Sequence, residues 1–135
     1  DGKPPVRNNA IMGGMVAALS DEDMRGLALY FAQQKIKPSV AKEEKLLAEG
    51  KSLWRMGDFS KGVPACAGCH GPAGAGLPSQ YPRLAGQYAD YTAAQLKSFR
   101  SHERANDSEK MMRVIAGKLS DHQIHAVAEY AAGLR

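Results

Sequence analysis

Cysteine is scarce in this sequence of 135 residues: it contains Cys66 and Cys69, and no third cysteine that could pair with either. Long apolar runs are also missing. The stretch from Gly13 to Leu19 falls well short of the roughly 20 residues that a membrane helix needs, and Ser-Asp-Glu-Asp follows it. We therefore predict no transmembrane segment. The chain shows no initial methionine and no signal-peptide pattern, so we expect that any signal peptide has been removed.

A dense block of basic residues is absent as well. The net charge is +4, and no Lys/Arg cluster reaches the density that is typical of a nucleic-acid patch. We therefore predict that nucleic acid is not a partner. The small basic excess suits docking on an acidic protein surface. Apolar residues, at 44%, and charged residues, at 24%, lie near globular averages, which excludes a disordered tail.

Strand-like alternation is the third absence. No segment alternates apolar and polar residues with period two, whereas helical spacing recurs nearly throughout, and this predicts an all-α fold. A first helix, capped by Ser20, carries Met24, Leu27 and Phe31 on one face, which we expect to be a core face. A second helix is predicted from about Val40 to Met56.

Two further helices and one long loop complete the predicted secondary structure. One helix runs from near Tyr88 to Ser101, and the last begins at Ser120, where Gln123 completes a capping box. Glycine and proline dominate residues 71–86, which predicts an irregular loop. Loops of this length in compact domains usually carry function.

The sequence repeats itself after 100 residues. Seven of the 21 ungapped positions in 12–32 are identical to those in 112–132. The identical pairs are Met12/Met112, Leu19/Leu119, Ser20/Ser120, Asp21/Asp121, Ala28/Ala128, Tyr30/Tyr130 and Ala32/Ala132. Chance similarity of two amphipathic helices is the alternative, but the matches include the helix cap and the methionine before it. We therefore predict that residues 1–37 are the tail of a first domain with a linker, and that residues 38–135 are a complete second domain.

The segment Cys66-Ala-Gly-Cys-His70 has the spacing that attaches c-type haem. Two thiols one helical turn apart can add to the two vinyl groups on one haem edge, and the following histidine supplies an axial ligand to iron. A zinc site would need a second ligand pair in finger spacing, and a thioredoxin-like pair would need strands. A disulfide across two residues would be strained and would leave the histidine unexplained. We therefore predict one covalently attached haem.

The second axial ligand is predicted to be Met112. A thioether raises the reduction potential and closes the iron to other ligands. Met24 and Met56 are interpreted as packing residues. Met111 is disfavoured because position 111 corresponds to Ile11 in the repeat, whereas position 112 is methionine in both copies. The alternative, that Met112 is an ordinary core residue, stays open.

Two aromatic residues and three histidines complete the candidates. Gly50 lies one turn before Trp54, which predicts that this helix crosses the last one closely, with Trp54 and Tyr130 filling the contact. We interpret this as a structural role. We expect the three histidines outside the haem motif to be exposed and without function. They are His102, His122 and His125.

Together with Cys66-Ala-Gly-Cys-His70, the loop Tyr81-Pro-Arg-Leu-Ala-Gly-Gln87, the helix Tyr91–Arg100 and the segment Met112–Asp121 resemble class I cytochromes c. The resemblance is strongest to the two-haem periplasmic type called cytochrome c-four, and it covers nearly the whole chain. It implies the class I cytochrome c fold, with His70 as the proximal ligand and Met112 as the distal one. The resemblance further implies that the Pro82 carbonyl contacts the His70 ring.

The resemblance also assigns residues around the haem. It implies that Leu84 and Ile115 contact the haem and that Gln87 lies near a propionate. The two-haem type has a second Cys-x-x-Cys-His motif that this sequence lacks, so Met12 is the predicted orphan ligand of a missing first haem. The intact protein would then carry two haems. We expect residues 1–37 either to pack on their own haem domain or to mediate dimerisation.

The function implied is electron transfer in the bacterial periplasm, within a respiratory chain. A quinol-oxidising complex would be the donor, and a terminal oxidase or reductase the acceptor. The chain would then be an electron carrier and not an enzyme. The alternative is a haem enzyme or a gas-binding protein whose methionine ligand is labile. An interaction module in which haem has no redox role is a third, less favoured hypothesis.

Overall fold

The computed structural model describes residues 7–35, 40–78 and 80–135. The chain divides into two compact units, Asp1–Ile36 and Lys37–Arg135. In the part of the chain that the structure describes, no helix is both long and apolar enough to cross a membrane.

The first unit contains helices α1 (Ala10–Val16) and α2 (Asp21–Ala32). Ser20 begins α2 as predicted: its hydroxyl accepts from the Asp23 N–H at 3.1 Å, and the Asp23 carboxylate accepts from the Ser20 N–H at 3.0 Å. Helix α1 was not predicted. The expectation of a buried face on α2 is wrong, since Met24, Leu27 and Phe31 are exposed and neither helix contains a buried residue.

The described residues of the second unit form five further helices and two 3-10 turns. They are α3 (Glu44–Met56), a turn at Phe59–Lys61, α4 (Ala67–His70), α5 (Ala89–Arg100), a turn at Ser108–Lys110, α6 (Met111–Gly117) and α7 (Asp121–Ala132). The described residues form no β-strand, and two isolated bridges join Asp58 to Val63 and Leu77 to Tyr81. The all-α prediction is therefore confirmed, and α7 has the predicted capping box of Ser120 and Gln123.

Helix α3 begins four residues later than predicted. The carboxylate of Glu129, a buried residue of α7, accepts hydrogen bonds from the backbone N–H groups of Lys42 at 2.7 Å and Glu43 at 3.3 Å. A negative charge at this end of a helix is favoured by the helix dipole. A capping group supplied by α7 therefore defines the start of α3, whose own N-cap residue makes no side-chain hydrogen bond.

Helices α3 and α7 cross at Gly50, as the sequence predicts. A Cβ placed on Gly50 would lie 2.1 Å from the carbonyl oxygen of Ala126, so no larger residue fits without moving a backbone. Trp54 is 1% exposed, and its ring centroid lies 6.3 Å from that of Tyr130. The hydrophobic core continues from this crossing through Ile124 to α5. Contrary to the prediction for Met56, this residue is 59% exposed and does not belong to the core.

Candidate functional site

One helical turn carries the three residues of the haem motif. Helix α4 follows Cys66 directly, and the His70 N–H donates to the Cys66 carbonyl at 2.9 Å. Residues three and four apart on a helix lie on the same face, so Cys66, Cys69 and His70 share one side of this turn. No disulfide joins the two cysteines. Burial raises the pKa of the Cys66 thiol to about 11, so this thiol is neutral at physiological pH before a haem is attached.

The His70 ring is held in one orientation. The residue is 7% exposed, and its Nδ1 lies 2.9 Å from the Pro82 carbonyl oxygen, which is the contact predicted for this pair. A carbonyl oxygen only accepts, so Nδ1 carries a proton, and in a neutral imidazole with this tautomer Nε2 has the lone pair that can bind a metal. The ring centroids of Trp54 and Tyr81 lie 6.5 and 6.1 Å from the centroid of the imidazole ring.

The glycine-rich loop brings the Pro82 carbonyl to this position. The Gly76 N–H donates to the His70 carbonyl at 2.8 Å, and Leu77 and Tyr81 exchange two backbone hydrogen bonds of 2.9 Å each. Gly76 has φ +76°, and a Cβ there would lie 2.6 Å from the Arg83 nitrogen. A glycine is required at this position because the chain turns back tightly on itself. The loop is irregular over its described residues, as predicted.

Several half-buried apolar residues pack against the same hydrophobic core as Cys66. Leu84 and Ile115, both predicted to contact the haem, are among them, together with Leu96. Gln87 has a local contact: its Oε1 accepts from the Tyr88 N–H at 2.9 Å, directly before α5. The assignment of Gln87 to a haem propionate stays a prediction.

Met112 is the second residue of α6 and is half-buried, whereas Met111 is exposed. Helix α6 packs against α5. The two residues before it, Glu109 and Lys110, both have positive φ, at +51° and +58°. The exposure predicted for the three histidines outside the haem motif is confirmed, since His102, His122 and His125 all lie at the surface.

An ion pair that sequence reasoning missed lies beside Met112. The Asp107 carboxylate accepts from the Arg113 Nε at 2.8 Å and from the Arg113 backbone N–H at 3.0 Å. Burial opposes ionisation of this carboxyl, but the hydrogen bonds from Arg113 outweigh it, and the pKa lies below its ordinary value. No motif in the sequence indicates the pair, because it depends on the path of the chain between residues 107 and 113.

These residues fit a covalently attached haem. Two cysteines lie one turn apart, an oriented imidazole has Nε2 available, and half-buried apolar side chains pack against the same core as Cys66. Thioether formation and histidine ligation need these groups, and a porphyrin needs apolar surroundings. Fold and site together therefore define a small helical c-type haem protein.

Comparison with known proteins identifies the family. The cytochrome c family profile matches residues 47–134, so the chain belongs to the cytochrome c family. A cytochrome c4 from Thiocapsa roseopersicina, which is of the c-four type, is 47% identical over 95% of this chain and 67% of its own length. A protein of Thiomonas intermedia named thiosulfate dehydrogenase electron acceptor is 39% identical, over 94% of this chain and 59% of its own length.

A solved structure supports the same fold. The crystal structure of reduced cytochrome c4 from Pseudomonas stutzeri matches with a TM-score of 0.88 and 42% identity, over 96% of this chain and 68% of that chain. The prediction of a cytochrome c fold resembling the two-haem c-four type is thereby confirmed, and the cofactor is covalently bound haem c. The chain spans between 59% and 67% of the length of the cytochrome c4 relatives that it matches.

Proposed function

We propose that Cys66 and Cys69 form the thioether bonds to the haem and that His70 and Met112 are its axial ligands. The geometry of His70 carries this proposal, since the Pro82 carbonyl leaves only Nε2 available to the iron. We assign Leu84 and Ile115 to the haem surface because both are half-buried and pack against the core on which Cys66 also packs. Gln87 is assigned to the propionate edge on the resemblance alone.

The function that this site supports best is transfer of single electrons. Haem c supplies a reversible one-electron couple when it is bound. The chain contributes a fixed imidazole: the Pro82 carbonyl orients it, while Trp54 donates its indole N–H to the Pro72 carbonyl at 3.2 Å and holds the adjoining loop. A rigid ligand changes little in position when the charge on its metal changes, and this keeps electron transfer fast.

The resemblance to the c-four type supports a cellular role, which is a proposal for the whole protein. We place it in the periplasm, as a carrier in a respiratory chain with a quinol-oxidising donor and a terminal oxidase or reductase as acceptor. The relative named thiosulfate dehydrogenase electron acceptor adds a second donor, a thiosulfate dehydrogenase. The net charge of +4 favours partners with an acidic docking surface.

Residues 1–37 are proposed to be the end of a first haem domain plus a linker, with residues 38–135 as the complete second domain. In the repeat, α1 and α2 correspond to α6 and α7, and Ser20 and Ser120 both form capping boxes. Met12 would then be the distal ligand of a first haem in a longer chain. Because an exposed apolar face favours a partner surface, we propose that residues 1–37 either pack on their own haem domain or mediate dimerisation.

Two measurements on the holoprotein test the electron-carrier proposal. The ferric protein should show the weak charge-transfer band of thioether-bound iron, and Met112→Ala should remove it while the control Met111→Ala should not. A redox titration of the holoprotein should also show a reversible one-electron couple. Rapid carbon monoxide binding by the ferrous wild-type protein would instead favour a gas-binding or catalytic haem.

A further inference from the structure

The segment before α6 has an unusual backbone for residues other than glycine. Glu109 and Lys110 are consecutive, and both occupy the left-handed region, which side chains with a Cβ rarely adopt. Such a conformation persists only where the surrounding structure holds it. The segment leads directly into Met111 and Met112. The contacts that stabilise its backbone therefore also determine where Met112 lies.

Asp107 and Arg113 form an ion pair that joins the two ends of this segment, and we call this pair the clasp. The two carboxylate oxygens are divided between two donors of one residue: Oδ1 accepts from the side-chain Nε and Oδ2 from the backbone N–H of Arg113. The side chains are only 5% and 16% exposed, so solvent weakens the pair little. The five residues that the clasp encloses end with Met112.

The chain segment that connects α5 to α6 is also attached to α5 by side-chain contacts. The guanidinium of Arg104 lies 4.4 Å from the ring centroid of Phe99, which is buried, and donates to Gln95 Oε1 at 3.0 Å. Its Nε donates to Asn106 Oδ1 at 2.9 Å, directly before Asp107. Asp107 is therefore attached to the helix framework, and Arg113 is attached to Asp107.

We propose that the Asp107–Arg113 pair is a positioning device that holds Met112 at the distance and angle needed to ligate the iron. This inference rests on the proposed role of Met112 as the distal ligand. Neither Asp107 nor Arg113 touches the iron in this account. Their contribution is to hinder dissociation of Met112 from the iron, and this hinders the binding of other ligands to the metal.

The test uses the holoprotein with Asp107→Asn and Arg113→Gln. Arg100→Gln and Asp121→Asn are matched controls, because Arg100 and Asp121 also form an Asp–Arg ion pair but join α5 to the start of α7. The readouts are the thioether charge-transfer band and the rate of imidazole binding to ferric iron. Thermal unfolding of every variant shows which of them fold.

We expect both clasp variants to weaken the band at neutral pH and to bind imidazole about tenfold faster than wild type, the factor expected when one charged hydrogen bond is lost. The controls should match wild type in both readouts even where their unfolding temperature falls. If clasp and control variants bind imidazole at equal rates, the positioning role is wrong and the pair is merely structural.

A Met112→Ala variant separates this outcome from a failure of the proposed ligand. If wild type and Met112→Ala bind imidazole alike, Met112 is not the ligand, and both proposals fall together. If Met112→Ala binds much faster while Asp107→Asn equals wild type, the ligand assignment stands and only the clasp is refuted. Should Asp107→Asn not fold, Arg113→Gln, which keeps the backbone N–H donor, supplies the same comparison.

Discussion

Replacement of Gly50 by alanine should destabilise the haem domain strongly, because the glycine lies where α3 and α7 touch. The added Cβ would approach the Ala126 carbonyl oxygen to 2.1 Å and the Tyr130 Cβ to 2.8 Å. Neither atom can move aside by a side-chain rotation, since the carbonyl oxygen belongs to the backbone and the Cβ is bonded directly to the backbone. The two helices must therefore separate, which also loosens the packing of Trp54.

The expected size follows from two opposing effects. Overpacking of a core costs about 1–3 kcal/mol, and a contact with backbone this short belongs at the upper end. Alanine is more favourable than glycine inside a helix by about 1 kcal/mol, and this offsets part of the cost of overpacking. We therefore expect a net loss of about 2 kcal/mol in the free energy of unfolding.

The assay is urea unfolding of the holoprotein, followed by far-ultraviolet circular dichroism, with the midpoint and slope compared between variants. Gly117→Ala is the control, because Gly117 is also helical and a Cβ there has no neighbour within 4 Å. The control should be neutral or slightly stabilising. A Gly50→Ala protein that unfolds at the same urea concentration as Gly117→Ala would refute the close crossing.

Two further predictions concern carboxylates that join α7 to the rest of the domain. Glu129→Gln should lower the free energy of unfolding by about 1 kcal/mol, since it removes the negative charge at the start of α3. The control in the same urea assay is Glu103→Gln, at an exposed position. If the two variants lower the free energy of unfolding equally, the capping role of Glu129 is wrong. Hydrogen bonds from Ser60 and then Gln123 lower the pKa of Asp58 from 3.8, so its stabilisation is present above pH 3.8 and is lost as the pH falls through the lowered value. Asp58→Asn should thus melt below wild type at pH 7, with a smaller gap at pH 3, and a gap independent of pH would exclude this linkage.

Local signals in the sequence predicted local structure well. Helix α7 begins where Ser120 and Gln123 form their capping box, and Gly50 marks the crossing that its spacing from Trp54 indicates. The haem motif was recognisable for the same reason, because one helical turn contains every residue that it needs. In each of these cases the chemistry lies within four residues of chain or depends on the absence of one side chain.

Features that depend on tertiary structure were not predictable. The start of α3 is defined by Glu129, which lies more than 80 residues away in sequence. The clasp between Asp107 and Arg113 depends on two residues with positive φ, neither of which is glycine, asparagine or aspartate. Residue preferences give no indication of such a turn, since the tertiary structure overrides them.

The buried face predicted for α2 failed for a different reason. The spacing of Met24, Leu27 and Phe31 shows correctly that the helix has an apolar side, but periodicity does not say which surface covers that side. The corresponding face of α7 is buried because α3 and α5 pack on it. An amphipathic pattern predicts a helix, and burial requires a partner surface.

The central claim is that haem is bonded covalently to this chain through Cys66 and Cys69. Mass spectrometry of a proteolytic digest of the holoprotein tests it most directly. We predict that the peptide containing residues 66–70 carries the mass of one haem and that the haem stays on the protein in acidified organic solvent. An unmodified peptide with two free thiols, or complete release of the pigment into that solvent, would contradict the account.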